Sequence, residues 1–312
     1  MTDLKVRRLH FDFTAPVPMV WHPENPRFSH AVNLMSFIAI CFEKMIVEAV
    51  QEAKPRFTNP EVASEANAFL RQEAQHANAH RQHVAALIRR HPGLQETFDA
   101  IMASYDHVTS TKPLAYRLAY IADLEATFTP SFRFLLDNED TMFRPGDDRV
   151  ASLLLWHMVE EVEHRSSALI IYNAVVGRRL YRLRILPSVV RHIMGTLVPI
   201  YVDGVNTHVP EKDRVLDLRV MSVSWRIREQ LRSLMSRNGS GGNLTPPMLK
   251  AVDRKDKRQA LRGLTLSQNP YFDPADEALP SFAGEWFDRY ERGDDVTHWY
   301  GSQAAAVGIQ RG

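Results

Sequence analysis

The chain has 312 residues, 45% hydrophobic and 24% charged, and its 38 basic and 37 acidic side chains leave a formal net charge of +1. That balance gives no electrostatic reason to expect a nucleic-acid partner, and a single cysteine, Cys41, excludes both an intrachain disulfide framework and a thiolate metal cage. The first residues carry no apolar secretory core, and no run of about 18 uninterrupted apolar residues occurs, so a cytoplasmic protein without a membrane span is expected.

Residues 1–29 read as an irregular arm, because Pro16, Pro18, Pro23 and Pro26 rule out a long helix there. Four long helices are then predicted. The first covers 30–54 and stops near Pro55. The second covers 60–90, opened by Asn59-Pro60 and ended before His91-Pro92-Gly93. The third covers 112–138, with Pro130 expected to kink or divide it. The fourth covers 147–177, opened by Gly146-Asp147-Asp148 and closed by Gly177. Strand-like alternation is sparse, so the expected fold is all-α: a ferritin-like four-helix bundle over 30–180 with a helical extension and tail over 181–312.

Within the extension, "RILPSVVRHIMGTLVPIYVDGV" reads as a pair of short packed helices or, alternatively, as a surface that touches a membrane or an oily substrate. The basic run "RRLYRLR" at 178–184 is either a solvated helix end or a meeting point for an acidic substrate, an acidic reductase or lipid headgroups. An amphipathic helix is predicted over 211–237, and "NGSGGN" at 238–243 reads as a flexible linker. The tail is expected to hold two or three short helical pieces.

Two E-x-x-H motifs stand out, Glu73/His76 on the second helix and Glu161/His164 on the fourth. Residues three apart on a helix have Cβ atoms roughly 5–6 Å apart, so one carboxylate and one imidazole reach the same ion. A di-metal carboxylate bundle needs such a motif from each of two helices and one glutamate from each of two others. Glu43 and Glu125, each set among apolar residues, supply the missing pair. The competing reading is plain surface chemistry: Glu43 facing solvent with Lys44 and Glu48, and Glu125 pairing with Arg117 or Arg133. The joint pattern favours metal. Four carboxylates and two imidazoles suit two divalent ions, with iron the best fit and manganese or zinc as alternatives. His80 and His157 lie one turn from these motifs, and Glu160 adjoins one of them. These three are the catalytic candidates, as proton donors, general bases or further ligands. Asp123, two residues from Glu125, is expected to point away from that stripe.

The stretches "RRLHFDF", "WHPENP", "FEKMI", "RQEAQHANAH", "WHMVEEVEH" and "NPYFDP" together resemble the bacterial predicted metal-dependent hydrolase family, over about residues 6–275. The resemblance implies a ferritin-like helical fold and carries metal ligation onto Glu43, Glu73, His76, Glu125, Glu161 and His164, with His80 and His157 beside them. The leading functional expectation is di-iron, dioxygen-dependent oxidation of a small organic substrate, served by an electron-donor protein. Met35, Phe37 and Phe42 are candidates to line its substrate pocket. The alternative is a two-metal hydrolase in which a metal-bound hydroxide attacks an ester, amide or phosphate and His157 or Glu160 acts as base. Iron storage fits poorly with so long an extension, which is expected to act as a lid or a homodimer surface.

Overall fold

The structure is a computed structural model and describes residues 4–214 and 247–301. Among the described residues there are helices and no strand, as expected. Helix α1 spans Pro26–Ala53. It starts inside the arm because the Asn25 side chain accepts a hydrogen bond from the Phe28 N–H and Pro26 occupies the first turn. Helix α2, Pro60–Arg90, is capped by Asn59, which accepts from the Glu61 N–H at 2.8 Å.

Helix α3, Leu94–Thr111, is absent from the predicted set. It buries a narrow stripe, Leu94, Thr97, Ile101, Tyr105 and Val108, so its apolar signal is thin. Helix α4, Leu114–Leu136, takes Pro130 without dividing. A later helix comes very close there, since a Cβ on Gly263 would lie 2.8 Å from the Pro130 Cβ.

After a short α5, Glu139–Met142, the predicted fourth helix proves to be two: α6, Asp148–Glu163, and α7, Ser167–Val175. The break falls on His164, which leaves helical geometry at φ −92° and ψ 13°. Gly177 closes α7 at φ +63°, a left-handed conformation that suits glycine. The expected pair of short helices is instead one continuous rod. Helix α8, Arg179–His192, passes through a π-helical turn at Ile193–Leu197 into α9, Val198–His208. Helices α10, Arg254–Ser267, and α11, Ser281–Glu291, complete the described set. Of the helix predicted over 211–237, only a single turn at Glu211–Asp213 is described; its remainder and the 238–243 linker lie outside the described residues.

Helix α1 packs on α2 and α4, and α6 packs on α4 and α2, so four helices close a ring of neighbours. α8 and α10 lie on α4, α9 on α3, and α11 on α6. The arm has no helix before Pro26, yet it is part of the core: Phe11, Phe13, Val17, Met19 and Trp21 are all buried. Two rods, Pro26–Arg56 and Arg179–His208, are long and apolar enough to cross a membrane by length and composition. The first is mostly buried, as a core helix is; the second is not.

Candidate metal centre

The four helices of the ring each turn a carboxylate inward. Glu43 comes from α1, Glu73 and His76 from α2, Glu125 from α4, and Glu161 from α6, with His164 at the α6 C-terminus. All six side chains are at most 2% exposed. Ligand atoms lie within 4.8 Å of one another in two overlapping triplets, Glu43–Glu73–His76 and Glu73–Glu161–His164. Glu73 therefore sits between the two histidines: His76 Nδ1 is 4.0 Å from one of its oxygens and His164 Nδ1 is 3.5 Å from the other. Glu161 is the second shared group, 3.5 Å from His76 Nδ1 and 3.1 Å from His164 Nε2.

The surface alternative for Glu43 and Glu125 is not what the structure shows. Lys44 turns outward to Asp106 at 2.6 Å and Glu48 at 3.8 Å. Arg117 pairs with Glu52, and Arg133 with Asp137 and Glu277.

Bringing four carboxylates together in a dry interior is unfavourable unless a cation joins them. Burial first, and then the charge of Glu161, push the Glu43 and Glu125 carboxyls well above their ordinary range. Burial, then Glu161, Glu125 and Glu43, do the same to Glu73. Glu161 is the exception. Burial would raise it, but His164, His157 and His76 outweigh burial and hold it well below that range. Burial would likewise lower His76, yet Glu160 and Glu161 lift it to about 10.

The fit to metal is tested by hydrogen bonding. Glu43 Oε2, both Glu73 oxygens, His76 Nδ1, Glu125 Oε1, Glu161 Oε2 and both His164 nitrogens have no hydrogen-bond partner. His164 Nε2 and Glu161 Oε2, although close, are not at a bonding angle. Buried polar atoms are rarely left unpaired, and all six predicted ligands carry at least one such atom; Glu43, Glu73, His76, Glu161 and His164 also fall into the close groups, whereas Glu125 does not. Divalent cations there would satisfy the carboxylate oxygens and one nitrogen of each imidazole.

A family described as predicted metal-dependent hydrolase matches residues 5–277. The chain belongs to this family. No curated protein and no solved structure matches it. Membership and the buried Glu/His groups together support a metal-dependent protein, and the family description favours hydrolysis over the di-iron oxidation expected first. Neither comparison supports a ferritin relationship or names the metal.

Around the candidate ligands of this predicted metal-dependent hydrolase family member lie residues that hold those side chains in place. Glu160, predicted as a catalytic base, sits behind His76 and bonds its Nε2 at 3.0 Å. That leaves His76 Nδ1 directed at the cluster, the arrangement by which a carboxylate orients a metal-binding histidine. Glu160 in turn accepts from Arg7 at 3.1 Å. Arg7 also forks onto Glu163 at 2.7 and 2.9 Å, and Gln72 donates to the same carboxylate at 2.9 Å. The Arg7 guanidinium lies 4.6 Å from the Phe287 ring, so α11 covers the pair.

His157 and His80 start a second chain of contacts. His157 Nε2 bonds Glu161 at 2.8 Å, its Nδ1 meets His80 Nε2 at 2.6 Å, and His80 Nδ1 meets Ser36 Oγ at 3.0 Å. Ser36 continues to His83 Nδ1 at 3.0 Å. Burial, aided by neighbouring histidines, holds His80 well below its ordinary range and His157 below it; burial takes His83 to about 4. The chain is thus one of neutral imidazoles, each with one donor and one acceptor nitrogen.

Sequence reasoning did not single out Arg7, Gln72, Glu163, Ser36 or His83. The signals were present in "RRLHFDF" and "EEVEH", but pairing across such separations is not written in local spacing. Asp123 behaves as expected and points away, bonding Arg182 at 2.9 Å. Phe37 and Phe42 are ring-packed core, against Phe98 and Tyr201 and against Tyr105 and Tyr120, rather than the walls of a pocket; Met35 is half-buried beside that core.

Proposed function

We propose that this chain is a hydrolase working with two divalent metal ions held by Glu43, Glu73, His76, Glu125, Glu161 and His164. The observation that carries the reading is the set of buried, unpartnered carboxylate oxygens and imidazole nitrogens, of which Glu43, Glu73, His76, Glu161 and His164 lie in overlapping close groups. Donors of this kind suit iron or manganese, with zinc less exclusively. Bound there, the ions supply an activated water and a Lewis acid for a scissile carbonyl or phosphoryl group.

The chain's own residues set the geometry for that chemistry. Glu160 fixes the His76 ring, and Arg7 fixes Glu160. His157 Nε2 donates to Glu161 at 2.8 Å and lies 3.8 Å from Glu43, so it steadies the shared carboxylate. Its Nδ1 accepts from His80 Nε2 at 2.6 Å, which fixes the tautomer of both rings. The dry surroundings exclude bulk water and strengthen each of these contacts.

The test is a substrate panel. Protein loaded with zinc, manganese or, without oxygen, ferrous iron is assayed against activated esters, amides and phosphoesters. About two metals per chain and turnover that is lost in Glu161→Ala are expected. Ferrous protein that consumes dioxygen stoichiometrically, with no hydrolysis under any metal, would replace this reading with oxidation.

A further inference from the structure

The rods Pro26–Arg56 and Arg179–His208 are alike in length and apolar character, but not in cover. Of the most apolar stretch of each, 72% is buried in the first and 28% in the second. On the second rod Leu180, Leu183 and Val190 are 70%, 38% and 50% exposed. With exposed Pro187 they recur at helical spacing and so form one outward stripe. The opposite face is firmly held: Ile185 and Val189 are buried, and Arg182 is paired with Asp123.

The charge around the stripe is of one sign. Arg178, Arg179, Arg184 and Arg191 are exposed along it, and no acidic residue occurs anywhere from 164 to 202. Tyr271, also exposed, lies beside the start of the rod with the Arg179 guanidinium 5.0 Å from its ring. Leucine, valine and tyrosine flanked by arginines make the composition of a helix that lies in a membrane interface.

We propose that the outer face of Arg179–His208 docks on an anionic lipid bilayer, with the rod in the plane of the headgroups. Two features exclude other uses of the same face. A two-fold contact with a second copy would bring the same arginines face to face with no acid between them. A transmembrane placement would set Arg184 and Arg191 in hydrocarbon and tear Arg182 from Asp123.

Flotation of the full chain with lipid vesicles tests the proposal. Binding to phosphatidylcholine–phosphatidylserine vesicles is expected, with little to phosphatidylcholine alone, and it should weaken as salt rises. Each of Arg184→Gln and Arg191→Gln should lower the partition coefficient about fivefold, the effect of about one basic residue at such a surface. Leu180→Glu with Leu183→Glu should abolish it, while helical circular dichroism and metal content stay as in the parent. Absence of vesicle binding, or binding unchanged in these variants, overturns the proposal. So does a parent that dimerises with concentration and turns monomeric in the leucine double variant, which would assign the face to a second copy.

Discussion

Arg7 in the N-terminal arm and Glu160 in α6 are 153 residues apart in sequence and 3.1 Å apart in space, both buried. Through this contact the arm reaches His76, because the other Glu160 oxygen holds the His76 ring. Arg7→Gln removes the guanidinium that holds the Glu160 and Glu163 carboxylates in place. Metal affinity should fall roughly 10–100-fold with stoichiometry unchanged, the usual effect of losing a group that orients a ligand. Competition with a graded series of chelators measures it; an affinity equal to the parent's would mean that Arg7 is only a packing element.

Glu73 gives a test that separates stability from function. Both of its oxygens are unpartnered, and burial and then four other carboxylates raise its proton affinity. Glu73→Gln relieves that repulsion, so the metal-free variant should be more stable than the metal-free parent by about 1–3 kcal/mol. On this view Tm rises by a few degrees without metal and fails to rise further when metal is added, whereas the parent shows the opposite. A metal-free variant less stable than the parent would show that the carboxylate has a partner.

Glu161 and His164 form the second E-x-x-H pair, 3.1 Å apart, and Glu161 also meets His76 and His157. Alanine at either should abolish stoichiometric metal binding and leave soluble helical protein, read by metal analysis and circular dichroism. Two metals per chain in both variants would show that the ions sit elsewhere.

His80 touches His157 and Ser36 and stands one ring further from the shared carboxylates. His80→Ala should reduce turnover roughly 10–100-fold with metal content near that of the parent. Wholesale metal loss would instead make His80 a ligand, completing a triplet with Glu43 and His157.

Glu139 supplies a pH test away from the centre. Burial, against a hydrogen bond from Tyr300, raises its carboxyl from 4.5 to about 7. A raised acid contributes stability that is complete below its unfolded value and is lost as pH climbs through its folded value. Glu139→Gln keeps an acceptor for Tyr300 and does not titrate. Between about pH 5 and pH 8 the parent should therefore lose stability relative to the variant in denaturant titrations. Parallel curves would show that Glu139 titrates as an exposed glutamate.

The ring of helices and the burial of the six predicted ligands were legible because both rest on local spacing. E-x-x-H fixes two ligands one turn apart, and a glutamate amid apolar residues announces that its charge needs a partner. What stayed hidden depends on distance or on thin signals. α3 buries too narrow a stripe to stand out. The break at His164 has no proline or glycine to mark it. Arg182 reads as one more residue of a basic run until Asp123 is seen opposite it. Glu160 adjoins Glu161 in sequence, and one residue of helical rotation, about 100°, places it behind His76, a contact that local spacing does not announce.

The placement of Arg7 also bears on the order of assembly. The four-helix ring can close through neighbouring segments, but the arm must return across 153 residues to seal it. Closing so long a loop is slow compared with pairing adjacent helices, so the lid over the carboxylates should be the last piece to settle. Until it does, ions have an open door into the interior, and afterwards they are enclosed. Exchange of metal in the mature protein should then be limited by the opening of the arm. Arg7→Gln would speed metal release as well as weaken its hold, and pulsed hydrogen exchange at residues 5–13 would report the same opening.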